Sequence, residues 1–417
     1  MPPILAYVFS GFLLFAAPAA ETIGGTLSRG GPAGDPVAGV TLAVSDAAGF
    51  SATAITAADG SWEVALPGPG TYRVALDVST LPEGVALRDA DRSVLEGVEV
   101  RAGQHKSVVF ALGDRVVDTA GWPTRLLNLA VKGLIYGSIV ALAAVGLSLI
   151  FGVTGLVNFA HGEVVTFGAV VAWYFNASAA GPRLHLLWAV LPTLALAALL
   201  GGSLERGLFR PLRRRRTGNI ALIVVSIGLS LLVRHIYLIL VGGASLTYRQ
   251  YAVQPQISLG PVTVAPKDLV ITLAALAALA AVGLILRHTR LGTAMRAVAD
   301  NKDLAEASGI SVDRVILYTW GLGAALAGLA GIFLGTTQTV QWDMGFVLLL
   351  TMFAAVILGG IGTAYGAAVG GLIIGVATEA STFWLPVEFK VVVALAVLIL
   401  VLMVRPQGIF GVKERVG

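Results

Sequence analysis

The chain of 417 residues carries 28 Lys and Arg against 24 Asp and Glu, yet only 12% of it is charged and 56% is hydrophobic, with a mean hydropathy of +0.85. Soluble domains are about a quarter charged, so this composition excludes a soluble globular protein and requires several helices of spanning length. A total of 51 glycines suits close helix packing in lipid, and the lack of cysteine excludes disulfides, thiolate zinc sites and thiol redox chemistry in this chain. The net charge of +4 does not point to nucleic acid, because the basic residues fall in short loops between apolar runs and read as topology signals.

Residues 4–20, ILAYVFSGFLLFAAPAA, form an apolar run that closes on Ala17-Pro18-Ala19, the pattern of a signal-peptidase site. Because no Lys or Arg precedes the run, an uncleaved membrane anchor is the alternative. Residues 1–20 are therefore expected to be a signal peptide or an anchor, and either puts the chain from residue 21 onward outside the cytoplasm.

Residues 22–113 change character. Short alternating strands are punctuated by turn signals, and Asp59-Gly60 between TAITA and SWEVAL predicts a hairpin. Trp62, Val64, Leu66, Tyr72, Val74 and Leu76 alternate at period two, so one face can be buried. The spacing predicts a small β-sandwich of about seven strands. Asp46, Asp59, Asp77, Asp89 and Asp91 lack the loop pattern of a calcium site and are expected in turns. His105 has no ligand partner at metal spacing.

A linker at 114–124 leads to a membrane region over 125–412. The apolar runs predict about nine spans, at 126–151, 163–178, 184–203, 218–242, 268–287, 312–336, 345–361, 364–383 and 388–404. The last pair but one, broken at Gly359-Gly360-Ile361-Gly362, also reads as one kinked or re-entrant element. Basic residues concentrate at Arg210–Arg216, between Arg287 and Arg314, and in the tail from Arg405. The positive-inside rule makes all three cytoplasmic. Counting spans back from them puts the β-region outside, in agreement with the leader.

Within the first pair of spans, GLSLIFGVTGLVNFAHGE (Gly146–Glu163) interrupts an apolar run with Asn, His and Glu. Ionisable groups at the edge of hydrocarbon are costly unless they face protein or a water-filled path. The chain has no GxxxxGK[ST] loop, HExxH or GxSxG, so neither nucleotide binding in the usual way nor a familiar hydrolase chemistry is expected. The segment from Thr289 to Arg314 is too polar to span and too well patterned for a random loop; it predicts two short helices ending at Gly309.

FGVTGLVNFAHGE, TRLGTAMRAVADN, ALAGLAGIFLG, AAVILGGIGTAYGAAVGGLIIG and RPQGIFG follow one another in order. Over about 125–412 they resemble the permease subunits of bacterial ABC importers for branched-chain amino acids. The order of turns in 22–113 resembles carboxypeptidase-regulatory-like and related B-type sandwich repeats, which are not part of the usual permease pattern. The resemblance implies an all-α polytopic membrane bundle of the ABC importer permease type, here with an N-terminal extracytoplasmic β-sandwich. It implies a second homologous permease, cytoplasmic ATPase subunits and a periplasmic substrate-binding protein as partners, with surrounding membrane lipid. No cofactor is expected in this chain, which is a transport subunit and not an enzyme.

The resemblance also assigns Gly292, Arg296, Asp300, Asn301 and Gly309 to the segment that couples to the ATPase. Asn158, His161 and Glu163 lie in the family signature and are expected at the inner end of the first hairpin. There they either line or gate the path, or form a structural hydrogen-bonded knot. Arg234, His235 and Glu379, within later apolar runs, are further candidates for the path, with snorkelling as the alternative for the first two. Gln338, Gln341, Trp342 and Asp343 are expected in an outer loop, and Glu388 and Lys390 at the outer end of the last span. The expected solute is a branched-chain or related small amino acid, with urea or short amides as alternatives. A secondary transporter or a membrane-anchored receptor are the readings of a different class.

Overall fold

A computed structural model describes residues 21–29, 35–87, 92–100, 105–110, 112, 121–251, 254, 256–405 and 407–411. The leader at 4–20, Asp89, Asp91 and most of the linker lie outside these residues. The described chain forms two compact units, an N-terminal β-rich one and a helical one.

In the first unit, β1 (Thr22–Thr26), β6 (Ser61–Ala65) and β9 (His105–Ser107) form one sheet in the order β6-β1-β9. A second sheet orders β5 (Ser51–Ile55), β4 (Thr41–Asp46), β7 (Gly70–Leu76) and β8 (Val94–Val100). Short strands β2 (Ser28–Arg29) and β3 (Asp35–Pro36) pair separately. The alternating side chains behave as their spacing predicts. Trp62, Val64, Leu66, Tyr72, Val74 and Leu76 are all buried in one core with Ile23, Leu42 and Val44.

The Asp59-Gly60 hairpin is corrected. β5 pairs with β4 and β6 with β1, so this turn carries the chain from one sheet to the other. Leu27 N–H donates to Gly60 O at 2.8 Å, which draws β6 toward β1. Gly60 sits at φ +74°, and a side chain there would strike Leu27 O. Asp46, Asp59 and Asp77 each accept backbone N–H groups two residues on, in turns. The Ser61 and Ser79 donors hold the carboxyl groups of Asp59 and Asp77 below their ordinary range.

The helical unit comprises α1 (Trp122–Thr154), α2 (His161–Asn176), α3 (Leu186–Leu204), α4 (Arg210–Arg214), α5 (Asn219–Val241), α6 (Pro266–His288), α7 (Arg290–Asp300), α8 (Lys302–Ala307), α9 (Val312–Thr337), α10 (Met344–Gly359), α11 (Ala364–Ser381) and α12 (Lys390–Val404). A π-turn over Glu205–Phe209 joins α3 to α4. A two-stranded ribbon, β10 (Ile257–Leu259) and β11 (Val262–Val264), precedes α6. The predicted linker ends earlier than expected, since α1 begins at Trp122.

Apolar helices stand at all nine predicted places, but among the described residues only seven are long and apolar enough to cross a membrane. The expectation of nine spans is corrected at α2 and α10. Each has 16 residues, about 24 Å at 1.5 Å per residue, against a hydrocarbon core of about 30 Å. Both begin well inside the bundle. The run at Gly359–Gly362 is a tight turn between α10 and α11, not a kink within one helix.

Helices α1 and α9 are the buried central pair, crossing where Gly146 and Gly323 lie backbone to backbone. Around them the packing is reciprocal. α11 lies on α1, with Gly371 against Ala141 and Gly375 against Gly137. α3 lies on α9, with Gly201 against Trp320 and Ala324. Likewise α5 packs on α2, as α12 packs on α10. Four helices near the start (α1, α2, α3, α5) and four near the end (α9, α10, α11, α12) thus form two interlocked sets running in opposite senses.

The end of the bundle at Thr154 and Val312 is tied by charge. Arg213 forks onto the buried carboxylate of Glu205, and Arg210 and Arg214 both meet Asp313. The Arg-rich turn is therefore structural as well as topological. The tail motif has a comparable role: Ile409 and Phe410 N–H donate to Leu358 O and Gly359 O at 2.8 and 3.0 Å. These bonds satisfy carbonyls that the end of α10 leaves open.

Candidate translocation site

Thr154 ends α1, and Gly155, at φ +70°, turns the chain back on itself. Residues 155–160 then climb along the bundle instead of leaving it. Asn158 Oδ1 accepts Ala160 N–H at 3.0 Å and opens α2 at His161. His161 Nε2 donates to Ala143 O at 3.2 Å and lies beside Gly146. Ala143 is roughly 16 Å from the end of α1 at 1.5 Å per residue, and Gly323 is similarly placed in α9. The signature is therefore half-way through the bundle. This corrects the expectation that Asn158, His161 and Glu163 sit at the inner end of the first hairpin.

The opening turn of α10 meets them there. Gly162 and Gly345 are in mutual backbone contact: a Cβ on Gly345 would stand 1.9 Å from Gly162 O, and one on Gly162 would stand 2.5 Å from Gly345 O. Gly345 N–H donates to Thr166 Oγ1 at 3.1 Å, and Phe159 packs on Phe353. Two half-length helices thus meet amino end to amino end at mid-depth, each bringing the positive end of its dipole.

α5 closes the cluster. Ser226 Oγ accepts Phe159 N–H at 3.1 Å, Ser230 Oγ donates to Glu163 Oε1 at 2.9 Å, and Tyr237 Oη donates to Glu163 O at 3.0 Å. Asn158, His161 and Glu163 are 1%, 0% and 3% exposed. Asn158 Nδ2, His161 Nδ1 and Glu163 Oε2 nevertheless have no protein partner. Buried polar atoms left open are uncommon and costly. Arg234 lays its guanidinium over the Phe346 ring at 4.0 Å, while His235 bonds Leu231 O at 2.7 Å and faces Trp342. Sequence reasoning missed Ser230, Tyr237, Thr166 and Gly345. A serine-tyrosine face at 226, 230 and 237 in an otherwise apolar helix was the available signal.

Glu379 stands apart, in an ion pair with Lys390 that links α11 to α12. Gln341 Nε2 reaches Ser245 Oγ, and Val340 pairs with Leu246. Asp343 is the residue before α10.

At the Thr154 end, α7 and α8 form a bent pair. Gly292 admits no side chain, because Ile285 O and Leu286 O lie 2.3 and 2.4 Å from where a Cβ would be. Gly292, Met295 and Val298 make the buried face of α7. Arg296 Nη1 donates to Leu286 O at 2.8 Å, near the end of α6. Asp300 ends α7, Asn301 caps α8 through Leu304 N–H at 3.0 Å, and Gly309 follows α8 at φ +84°. A cavity of about 190 Å³ lies between Val153, Met295, Arg296 and Tyr365.

Lys302 supplies a tie that sequence reasoning also missed. Its ammonium donates to Thr154 O at 3.1 Å, capping the carboxyl end of α1 at the foot of the climbing loop. Burial, and secondarily Arg213, holds this amine below the ordinary lysine range. Lys302→Met is expected to leave the bundle folded and to weaken this attachment by about 1–2 kcal/mol. Thermal unfolding of the detergent-solubilised chain reads the loss, and a melting temperature equal to that of wild type would refute the tie.

A buried helical pair, two half-length helices meeting at mid-depth and a bent helix pair at one end together define a polytopic membrane transport subunit. The family described as branched-chain amino acid transport system / permease component matches residues 129–402. The chain belongs to this family, and as a permease component it is not an enzyme. It is 34% identical to the high-affinity branched-chain amino acid transport system permease protein LivH of Salmonella typhimurium, over 68% of this chain and 94% of that protein. It is 32% identical to the corresponding protein BraD of Pseudomonas aeruginosa, over 69% and 96%. A shorter match, 32% identical over 28% of this chain and 40% of the relative, joins it to the ribose import permease protein RbsC of Escherichia coli. No solved structure matches the chain.

Proposed function

We propose that this chain is one permease subunit of an ATP-binding cassette importer in the bacterial inner membrane. It carries branched-chain or related small amino acids by alternating access. The observation that carries this reading is the junction of α2 and α10 at mid-depth, with its open polar atoms, mechanically joined to the α7–α8 pair through Lys302 and Thr154 O. Half-helix ends at the midplane are a recurrent way of building a transport site.

In this mechanism a periplasmic binding protein delivers the solute to the paired permeases. Cytoplasmic ATPase subunits seat the segment bearing Gly292, Arg296, Asp300, Asn301 and Gly309. Their closure displaces the end of α1, and the two interlocked helix sets rock about the Gly146–Gly323 crossing. Asn158, His161, Glu163, Arg234 and His235 border the route, whereas Glu379 belongs to a structural ion pair. The β-unit faces the periplasm as a spacer or docking module.

The test is uptake by vesicles holding the complete complex, with leucine, isoleucine, valine, urea, short amides and ribose supplied in turn. ATP-dependent uptake of the aliphatic amino acids is expected. Uptake driven by an ion gradient without the ATPase would refute the importer, and preference for another solute would refute the substrate class.

A further inference from the structure

We propose that Glu163 and Arg234 together hold the head group of a zwitterionic α-amino acid: Arg234 and the amino end of α10 take the carboxylate, and Glu163 Oε2 takes the ammonium. This rests on the importer reading above and assigns the residues that recognise its solute.

Ser230, Arg234 and Tyr237 follow at helical spacing, so one face of α5 presents all three. Ser230 and Tyr237 bond Glu163, which fixes that face against the opening turn of α2. Arg234, His235 and Asp343 all lie within electrostatic reach of Glu163. Yet Glu163 and Arg234 form no ion pair among those present in the described residues. Each is held back by its own support: Glu163 by Ser230 Oγ, and the guanidinium by its seat on Phe346. Glu163 Oε2 and Arg234 Nε are both buried and have no protein partner.

Opposite charges in a membrane helix pair with one another when their role is structural, because an unpaired charge there is costly. Held apart, with one open donor and one open acceptor, they match a ligand that carries both charges. Arg234 sits over Phe346 in the first turn of α10, where the positive end of the helix dipole adds to the pull on an anion. Phe346, 39% exposed, and Trp342 provide an apolar wall for an aliphatic side chain. Arg234 itself is only half-buried.

The experiment measures leucine uptake and binding-protein-stimulated ATP hydrolysis with the complete complex in vesicles. Wild type is compared with Glu163→Gln, Arg234→Gln, Arg234→Lys and Glu379→Gln. Both glutamine variants at the cluster should lose about tenfold or more of leucine uptake, the effect of removing one charged hydrogen bond, while stimulated hydrolysis persists. Arg234→Lys should retain more uptake than Arg234→Gln, and Glu379→Gln should take up leucine like wild type. If Glu163→Gln fails to assemble, the half-buried Arg234 pair decides alone. Uptake by Arg234→Gln within about threefold of wild type, or no advantage of lysine over glutamine, overturns the assignment. A wild-type complex that takes up no amino acid refutes the importer reading instead.

Discussion

Substituting Gly345 by alanine should cost about 3 kcal/mol or more, the upper end for overpacking a tight interior, and should abolish transport. The added methyl would lie 1.9 Å from Gly162 O and 2.7 Å from Thr166 Oγ1, so backbone, not a yielding side chain, stands in its way. To admit it the amino ends of α2 and α10 must part, breaking the Gly345 N–H to Thr166 bond and the geometry around Glu163. Gly202→Ala is the control, since its methyl would meet only Leu317 Cδ1 at 3.6 Å. Thermal unfolding of the detergent-solubilised protein reads the difference. Equal melting of the two variants would show that α2 and α10 do not meet as described.

Glu205→Gln has the second largest expected effect. The carboxylate is 1% exposed and receives both terminal nitrogens of Arg213, whose side chain is 20% exposed. Removing one partner of a buried pair strands the other charge and costs about 3 kcal/mol. The double variant Glu205→Leu with Arg213→Met strands nothing and should melt closer to wild type. Equal melting of the single and double variants would mean that the pair contributes no coupling.

Much of this architecture is legible in the residues. Hydropathy alone locates every apolar helix, because an apolar stretch flanked by arginines has few other uses in a chain with 12% charge. The bent pair α7–α8 is legible too, since Gly292, Met295 and Val298 repeat at helical spacing amid charges. Depth is not legible. The runs at 163–178 and 345–361 look alike whether they cross lipid or end against another backbone, and the partner that makes Gly162 indispensable lies at Gly345, far along the chain. The turn at Asp59-Gly60 misleads for a related reason: local turn chemistry specifies a reversal but not which strand receives it. At the site, His161 and Glu163 announce themselves as ionisable residues in an apolar setting. Arg234 gains its meaning only from its seat on Phe346.

The reciprocal packing of the two helix sets bears on biogenesis. α1 leaves the ribosome long before α9 and α11, which supply the surfaces that bury it. The first half of the polypeptide must therefore wait in the bilayer with its glycine faces bare, and the end of α10 is clasped only after Gln407–Gly411 has followed it out. A nascent chain halted before α9 is a natural client for membrane chaperones and quality-control proteases.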